Sequence, residues 1–217
     1  MTTRMELRIS LRERLEDNGA APLWSDAALN AWLGEAVRLY GVQVPRQATA
    51  ATAAVTAGAT TIALPAGVAA GAVVAVRNAA GATVPRHDDR LPGPAPSDAR
   101  GASQGWRAWG DTLRLRRAAA GPDELGPWSV DHLSGRELLG NDLDPQPVEA
   151  GDEPVIVALA AAMALARRAV ESGNRGDTTA AREMRAIAGA ARDEAATLLA
   201  ARRRRPRSGF LQVEGAA

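Results

Sequence analysis

The chain has 217 residues with 26 basic against 25 acidic side chains and a net charge of +1, which argues against a dedicated nucleic-acid binder, whose domain would be clearly basic. It contains no cysteine, so disulfides, thiol nucleophiles and Cys-based zinc sites are excluded. That length supports one core, or one core plus a satellite module. Aromatics make up only 3% of a chain whose apolar fraction is 46% and largely alanine, so each Trp is expected to anchor a local cluster. Alanine-rich helices form readily but present thin faces, which points to support from neighbouring elements or subunits. Every basic residue is Arg. A GC-rich genome accounts for that composition, and so does a need for forked contacts to carboxylates or phosphates.

Residues 1–10 lack a continuous apolar run, so no signal peptide is expected. The most apolar stretch, 155–166, is too short and alanine-rich to span a bilayer. The sequence therefore predicts a soluble protein made in the cytoplasm, with no membrane partner.

A first helix is predicted from Arg4 to Asp17, with Leu7, Leu11 and Leu15 as a narrow stripe and Asn18-Gly19 as its end. A second begins at Ser25 or Asp26. Leu29, Trp32, Leu33, Ala36, Val37 and Tyr40 recur at helical spacing, Gly41 is the expected cap, and Pro45 prevents continuation. Leu23 or Trp24 is placed to pack back on this helix as a staple.

From about Thr49 the period changes. Residues 49–56 and 60–64 read as two strands of a hairpin turning at Gly58, and Val73, Val74 and Val76 as a third strand. Asn78 to Gly81 is a turn, and Thr83-Val84 opens a fourth strand. A long stretch rich in Pro, Gly and Asp follows over 86–105. Trp106 and Trp109 precede a Gly110-Asp111 turn, residues 112–115 form a strand, and 127–132 form the last one. Such short strands predict a compact antiparallel module.

A proline-containing linker over 141–152 returns the chain to helix. The third helix starts at Glu153 or Pro154 and presents Val155, Ile156, Leu159, Ala162, Met163, Ala166 and Val170. A short Gly173 to Gly176 connection favours an antiparallel helical hairpin. The fourth helix runs from Asp177 or Thr178 to about Arg204, with Met184, Ile187, Ala188, Ala191, Ala195 and Leu198 as its face. Arginines end it favourably and Pro206 stops it.

The predicted fold class is α+β: a four-helix bundle with a small antiparallel β-rich module inserted between the second and third helices, plus an extended C-terminal tail. The expected divisions are 1–48 for the first helical pair, 49–150 for the insert, 151–205 for the helical hairpin and 206–217 for the tail.

The sequence carries no recognisable catalytic constellation. His87-Asp88-Asp89 lies among Pro and Gly without a second ligand cluster, His132 stands in a strand, and both read as structural or solvated. Asn141 to Asp144 faintly resembles a calcium loop but lacks its Gly and closing Glu. Neither Ser134-Gly135 nor Ser208-Gly209 has a nucleophile-elbow context, and a lysine-dependent phosphate loop is ruled out by composition. No catalytic residue, metal or cofactor is expected. The Arg202, Arg203, Arg204, Arg205 and Arg207 cluster is the sharpest charge feature. It is read either as helix termination and solubility or as a contact for phosphates or an acidic partner. With Phe210, Leu211 and Val213 following, it suits an extended segment docking on another protein. Trp24 and Trp32 are assigned to the helices, and Trp106, Trp109 and Trp128 to the β-module.

The run Leu11-Arg12-Glu13-Arg14-Leu15, then residues 23–40 beginning Leu23-Trp24-Ser25-Asp26 and continuing through Leu29, Trp32-Leu33 and Glu35-Ala36, resembles the opening of head-to-tail connector (adaptor) proteins of tailed bacteriophages. A Thr61-to-Pro65 step, the Trp106-to-Gly110 segment and the paired C-terminal helices fit the same order; the long loop over 86–105 is less familiar in that pattern. The resemblance implies a virion neck protein forming a ring, commonly of twelve identical subunits, beneath the portal protein and above neck or tail proteins. DNA would pass through its centre without sequence-specific binding. Arg202 to Arg205, Arg207, Phe210, Leu211 and Val213 would dock on the portal. Leu29, Trp32, Leu33, Val37, Tyr40, Val155, Leu159, Met163, Met184, Ile187 and Leu198 would serve bundle or subunit packing, and Trp106 and Trp109 a tail-side contact. The rival readings are another neck or tail ring (stopper or tail terminator) and a nucleic-acid-binding regulator using the Arg-rich C-terminus.

Overall fold

Among the described residues, local signals in the sequence translate into eleven elements of a mixed α+β chain: four α-helices and seven strands in two small antiparallel sheets. The computed structural model describes residues 2–87 and 104–203, with side chains through 201. In chain order the elements are α1 (Arg4–Arg14), α2 (Asp26–Gln43), β1 (Arg46–Val55), β2 (Thr61–Ala63), β3 (Val73–Arg77), β4 (Thr83–Val84), β5 (Trp106–Trp109), β6 (Thr112–Leu115), β7 (Gly126–Ser134), α3 (Glu153–Asn174) and α4 (Thr178–Arg203). Among the described residues no helix is long and apolar enough to cross a membrane. The chain divides into a helical unit, up to Val44 and from Arg136 onward, and a strand unit, Pro45–Gly135. These boundaries fall earlier than the expected 48/49 and 150/151. β1 already begins at Arg46, and Arg136 bonds to the end of α2.

In the helical unit, α1 opens with a reciprocal capping box between Thr3 and Glu6 and buries Leu7 and Leu11. It stops three residues before the expected Asp17. Leu15 is the C-cap, and Glu16, not Gly19, takes the left-handed conformation at φ 54°. The cause is Asp17, whose buried carboxylate accepts from the backbone N–H groups of Leu23 and Trp24 and from Arg12. Those bonds require the chain to leave the helix early. In α2 the Ser25 hydroxyl caps the Ala28 N–H at 3.2 Å, and Leu29, Leu33, Ala36, Val37 and Tyr40 are buried. Trp24 meets Trp32 edge to face, their ring centres 5.9 Å apart.

Gly41 does not cap α2. It is a buried interior residue, and the helix runs on to a cap at Val44. A Cβ at position 41 would stand 2.8 Å from the Arg136 backbone nitrogen, so this glycine allows the returning chain to lie directly on the helix.

α3 is buried far more broadly than a single amphipathic stripe, because α1, α2 and α4 all pack against it. Val155 to Ala158, Ala160 to Ala162 and Ala164 are buried, whereas Val170 is exposed. α4 contributes the narrow stripe Ala181, Ala188, Ala191 and Ala195, whose small side chains let it approach α3 closely.

In the strand unit the sheets have orders β1-β7-β3-β4 and β2-β6-β5. The expected hairpin between residues 49–56 and 60–64 does not form. β1 pairs instead with β7, more than 70 positions away in Arg46↔Ser134 to Val55↔Gly126 register, and β2 pairs with β6. The β1 irregularity between Ala51 and Ala54 turns Thr52 inward, where its hydroxyl accepts from the Trp128 N–H at 3.0 Å. The Asn78–Gly81 turn joins β3 to β4 as expected, with Gly81 at φ 83°. Trp106–Trp109, anticipated only as residues before a turn, is itself a strand joined to β6 through Gly110-Asp111. The inward sides share one core around Val76, Leu113, Trp106, Trp128 and Val130. Burying each indole contributes about 4–6 kcal/mol of gross transfer free energy.

Candidate interaction surfaces

The residues assigned to packing divide into three groups. Leu29, Leu33, Val37, Tyr40 and Val155 are buried in the helical core, and Trp32, Leu159 and Met163 pack on it partly buried. Met184 is partly buried beside the Ser172 hydroxyl. Ile187 and Leu198 do not enter the core of the chain: they are 55% and 36% exposed. The buried stripe of α4 follows its alanines and Leu199, which sets Ile187 and Leu198 on a flank.

Ile187 borders an open groove of about 280 Å³ lined also by Arg14, Ala161, Leu165, Ala190, Ala191 and Glu194. Arg14 and Glu194 form an ion pair on its wall. The guanidinium hydrogen bonds hold the Glu194 carboxyl below its ordinary range. The groove thus has a methyl-rich floor with one charge pair on its wall.

Of the segment assigned to portal docking, the α4 backbone includes Arg202 and Arg203, while Arg204, Arg205, Arg207, Phe210, Leu211 and Val213 lie outside the described residues. Most of the 86–105 loop, including Asp88 and Asp89, lies outside them as well. Its ends are tied to the sheet: the His87 N–H donates to the Trp106 carbonyl at 2.7 Å, and Arg86 bridges Trp106.

The two tryptophans assigned to a tail-side contact part company. Trp106 is 1% exposed and its indole N–H donates to the Val84 carbonyl at 2.9 Å, so it belongs to the core and offers no contact surface. Trp109 is 61% exposed, which also removes it from the set of β-module anchors. The guanidinium carbons of Arg107 and Arg114 lie 5.7 and 5.5 Å from its ring centre.

Comparison with known proteins finds no matching family model and no curated protein of significant similarity. Function is therefore argued from these surfaces.

Several structural arginine sites escaped the sequence reading. Arg4 and Arg8, one turn apart on α1, converge on Asp142 at 2.6 and 2.9 Å, lowering its pKa from 3.8 to about 2 chiefly through the hydrogen bonds from Arg8 and then Arg4. The faint calcium-loop residue is thus an arginine acceptor. Arg136 is buried and donates from Nε to the Val44 carbonyl at 2.7 Å, from Nη1 to the Pro147 carbonyl at 2.6 Å and from Nη2 to Glu149 at 2.8 Å. Its guanidinium also lies 5.3 Å from the Tyr40 ring centre, while the Tyr40 hydroxyl donates to Asp152. These partners are separated by 90 to 140 residues or meet across irregular loops, and no local pattern announces them. The Trp109 cluster did have a signal: a two-residue Gly110-Asp111 turn places Arg107 opposite Arg114.

Proposed function

We propose that the chain is a structural, non-enzymatic protein of the tailed-bacteriophage neck: a head-to-tail adaptor whose copies form a ring, commonly of twelve, beneath the portal. In this reading the four helices are the ring-forming bundle, the strand unit inserted between α2 and α3 is a contact surface for an adjacent neck or tail component, and the C-terminal segment docks on the portal. The observation that carries it is the open flank of α4. Ile187 and Leu198 are left exposed on α4 while the helix buries its alanines, and Ile187 borders a groove with an apolar floor. With about half of Ile187 and a third of Leu198 left to cover, each contributes roughly 0.5–1.5 kcal/mol when a neighbour covers it, too little for a strong isolated pair but cumulative around a closed ring. The order of helix pair, strands, helix pair supports the same reading.

Electron microscopy of particles with the protein labelled provides the test. Density at the neck, in a ring beneath the portal, is the expected result, and absence from the neck overturns the proposal. Ile187→Glu combined with Leu198→Glu is expected to leave the helical fold intact, by circular dichroism, and to prevent ring assembly on the portal. Removal of residues 206–217 is expected to abolish portal binding without changing the helical signal.

A further inference from the structure

The outward face of the β2-β6-β5 sheet combines an exposed indole with a group of guanidinium groups. The register pairs Arg107 with Arg114 and Trp109 with Thr112, so these side chains share one face, and strand alternation adds Arg116 to it. The opposite face takes Trp106, Leu113 and Leu115 into the core. Across the sheet, Arg114 is opposite Thr61 and Thr112 is opposite Ala63, so none of these outward positions carries a carboxylate. Arg114 and Arg116 are exposed, and among the described residues neither makes an ion pair. Unlike Arg114 and Arg116, Arg4, Arg8, Arg12, Arg14 and Arg136 each meet a carboxylate of the chain.

The geometry points to this face as a docking site for an acidic segment of a partner protein, with carboxylates on Arg114 and Arg116 and an apolar side chain against the free surface of Trp109. Charge complementarity names the partner's chemistry: forked guanidinium groups bind carboxylates in bidentate fashion, and Trp and Arg are both enriched at the energetic centres of protein interfaces. Nucleic acid is the less suitable occupant. Duplex binding is built on many phosphate contacts, on the order of 6–10 in strongly salt-dependent binders, more than this face offers. Single-strand binders stack successive bases on several rings, and here one ring stands alone with guanidinium groups already beside it. The inference deepens the reading of the strand unit as a contact surface, and it does not depend on where the assembly resides.

The test uses the full-length protein and a fluorescein-labelled acidic dodecapeptide of Glu and Asp carrying two Leu residues, read by fluorescence anisotropy. Saturable binding is expected, weakened about tenfold by Trp109→Ala and more strongly by Arg114→Glu with Arg116→Glu. Replacing the two Leu by Gly in the peptide is expected to weaken binding as Trp109→Ala does, a loss that charge attraction alone would not produce. Arg46→Glu, at an exposed position on β1, should leave affinity unchanged. No binding by the parent, equal loss from Arg46→Glu, or tighter binding of an oligothymidylate of the same charge overturns the inference. Should Trp109→Ala lower the melting temperature, the doubly neutral Arg114→Gln, Arg116→Gln variant decides. A protein that binds the peptide but is absent from the neck overturns only the earlier proposal, and a neck protein that ignores the peptide overturns only this one.

Discussion

The helical and strand units solve the packing problem with opposite materials. The helical unit closes on alanine: Ala158, Ala160, Ala161, Ala162, Ala164, Ala188, Ala191 and Ala195 are buried, and Tyr40 is its one fully buried aromatic among the described residues. Small side chains let helices approach closely but remove little apolar area from water, so arginine–carboxylate pairs and carbonyl-capping bonds join segments that apolar contacts leave unsecured. The strand unit has strands as short as two residues, and it fills its core with Trp106 and Trp128. Each indole N–H finds a carbonyl, Val84 at 2.9 Å and Glu124 at 2.8 Å, so the large rings carry no unsatisfied donor into the core. The long helices add many small residues and polar ties to a few leucines, whereas the short strands gather valines around two large indoles.

Trp128→Ala presses hardest on that contrast. It removes the ring beneath both sheets and is expected to cost about 3–5 kcal/mol. Loss of amide-exchange protection along β1, β3 and β7 is the readout, and retention of parent protection there would show that the ring is not the centre of the strand core. Arg136→Met keeps an apolar stem but leaves the Val44 and Pro147 carbonyls without a donor, for an expected loss of about 2–4 kcal/mol measured from the urea midpoint. A loss below half a kilocalorie would mean those carbonyls are satisfied by water. Gly41→Ala is a sharper test of close packing. Helix propensity favours Ala by about 1 kcal/mol, whereas the 2.8 Å approach of the Arg136 nitrogen predicts net destabilisation of about 1–2 kcal/mol. A rise in melting temperature would put propensity ahead of packing.

The smallest effect concerns Asp142. Its folded pKa is depressed from 3.8 to about 2, so the stabilisation by Arg8 and Arg4 is fully present above the ordinary carboxylate range and is lost as pH falls through the interval down to about 2. Urea titrations at several pH values should therefore show a shallower acid-side loss for Asp142→Asn than for the parent. Identical slopes would assign the acid sensitivity to other carboxylates, such as Glu194 beneath Arg14.

Much of the helical unit was legible along the chain. Ser25 before a run of apolar residues at helical spacing, Pro154 in the first turn of α3 and the Gly173–Gly176 connection are local signals, and the structure places helix starts and turns where they stand. Legibility failed where a distant residue overrode a local cue. Gly41 looked like a terminator until Arg136 came to rest on it, and Gly19 lost that role because Asp17 bonded to Leu23 and Trp24. Of the interaction surfaces, the exposed state of Trp109 and the burial of Trp106, three residues apart, were invisible in composition. The strand between them was missed, and with it the alternation that sends the two rings to different surroundings.

By itself the amino-acid sequence determined most of the helical and extended segments, several of the turns and most of the apolar faces, because those properties arise from residues within about four positions of one another. Tertiary structure alone decided that β1 joins β7 rather than β2, that Arg136 and Asp142 are knots in the helical unit, and that Ile187, Leu198 and Trp109 remain on the outside. The β1–β7 pairing and the Arg4–Asp142 ion pair join residues from about 70 to 140 positions apart. Those meetings are selected by the packing of the whole unit, and no local period encodes them.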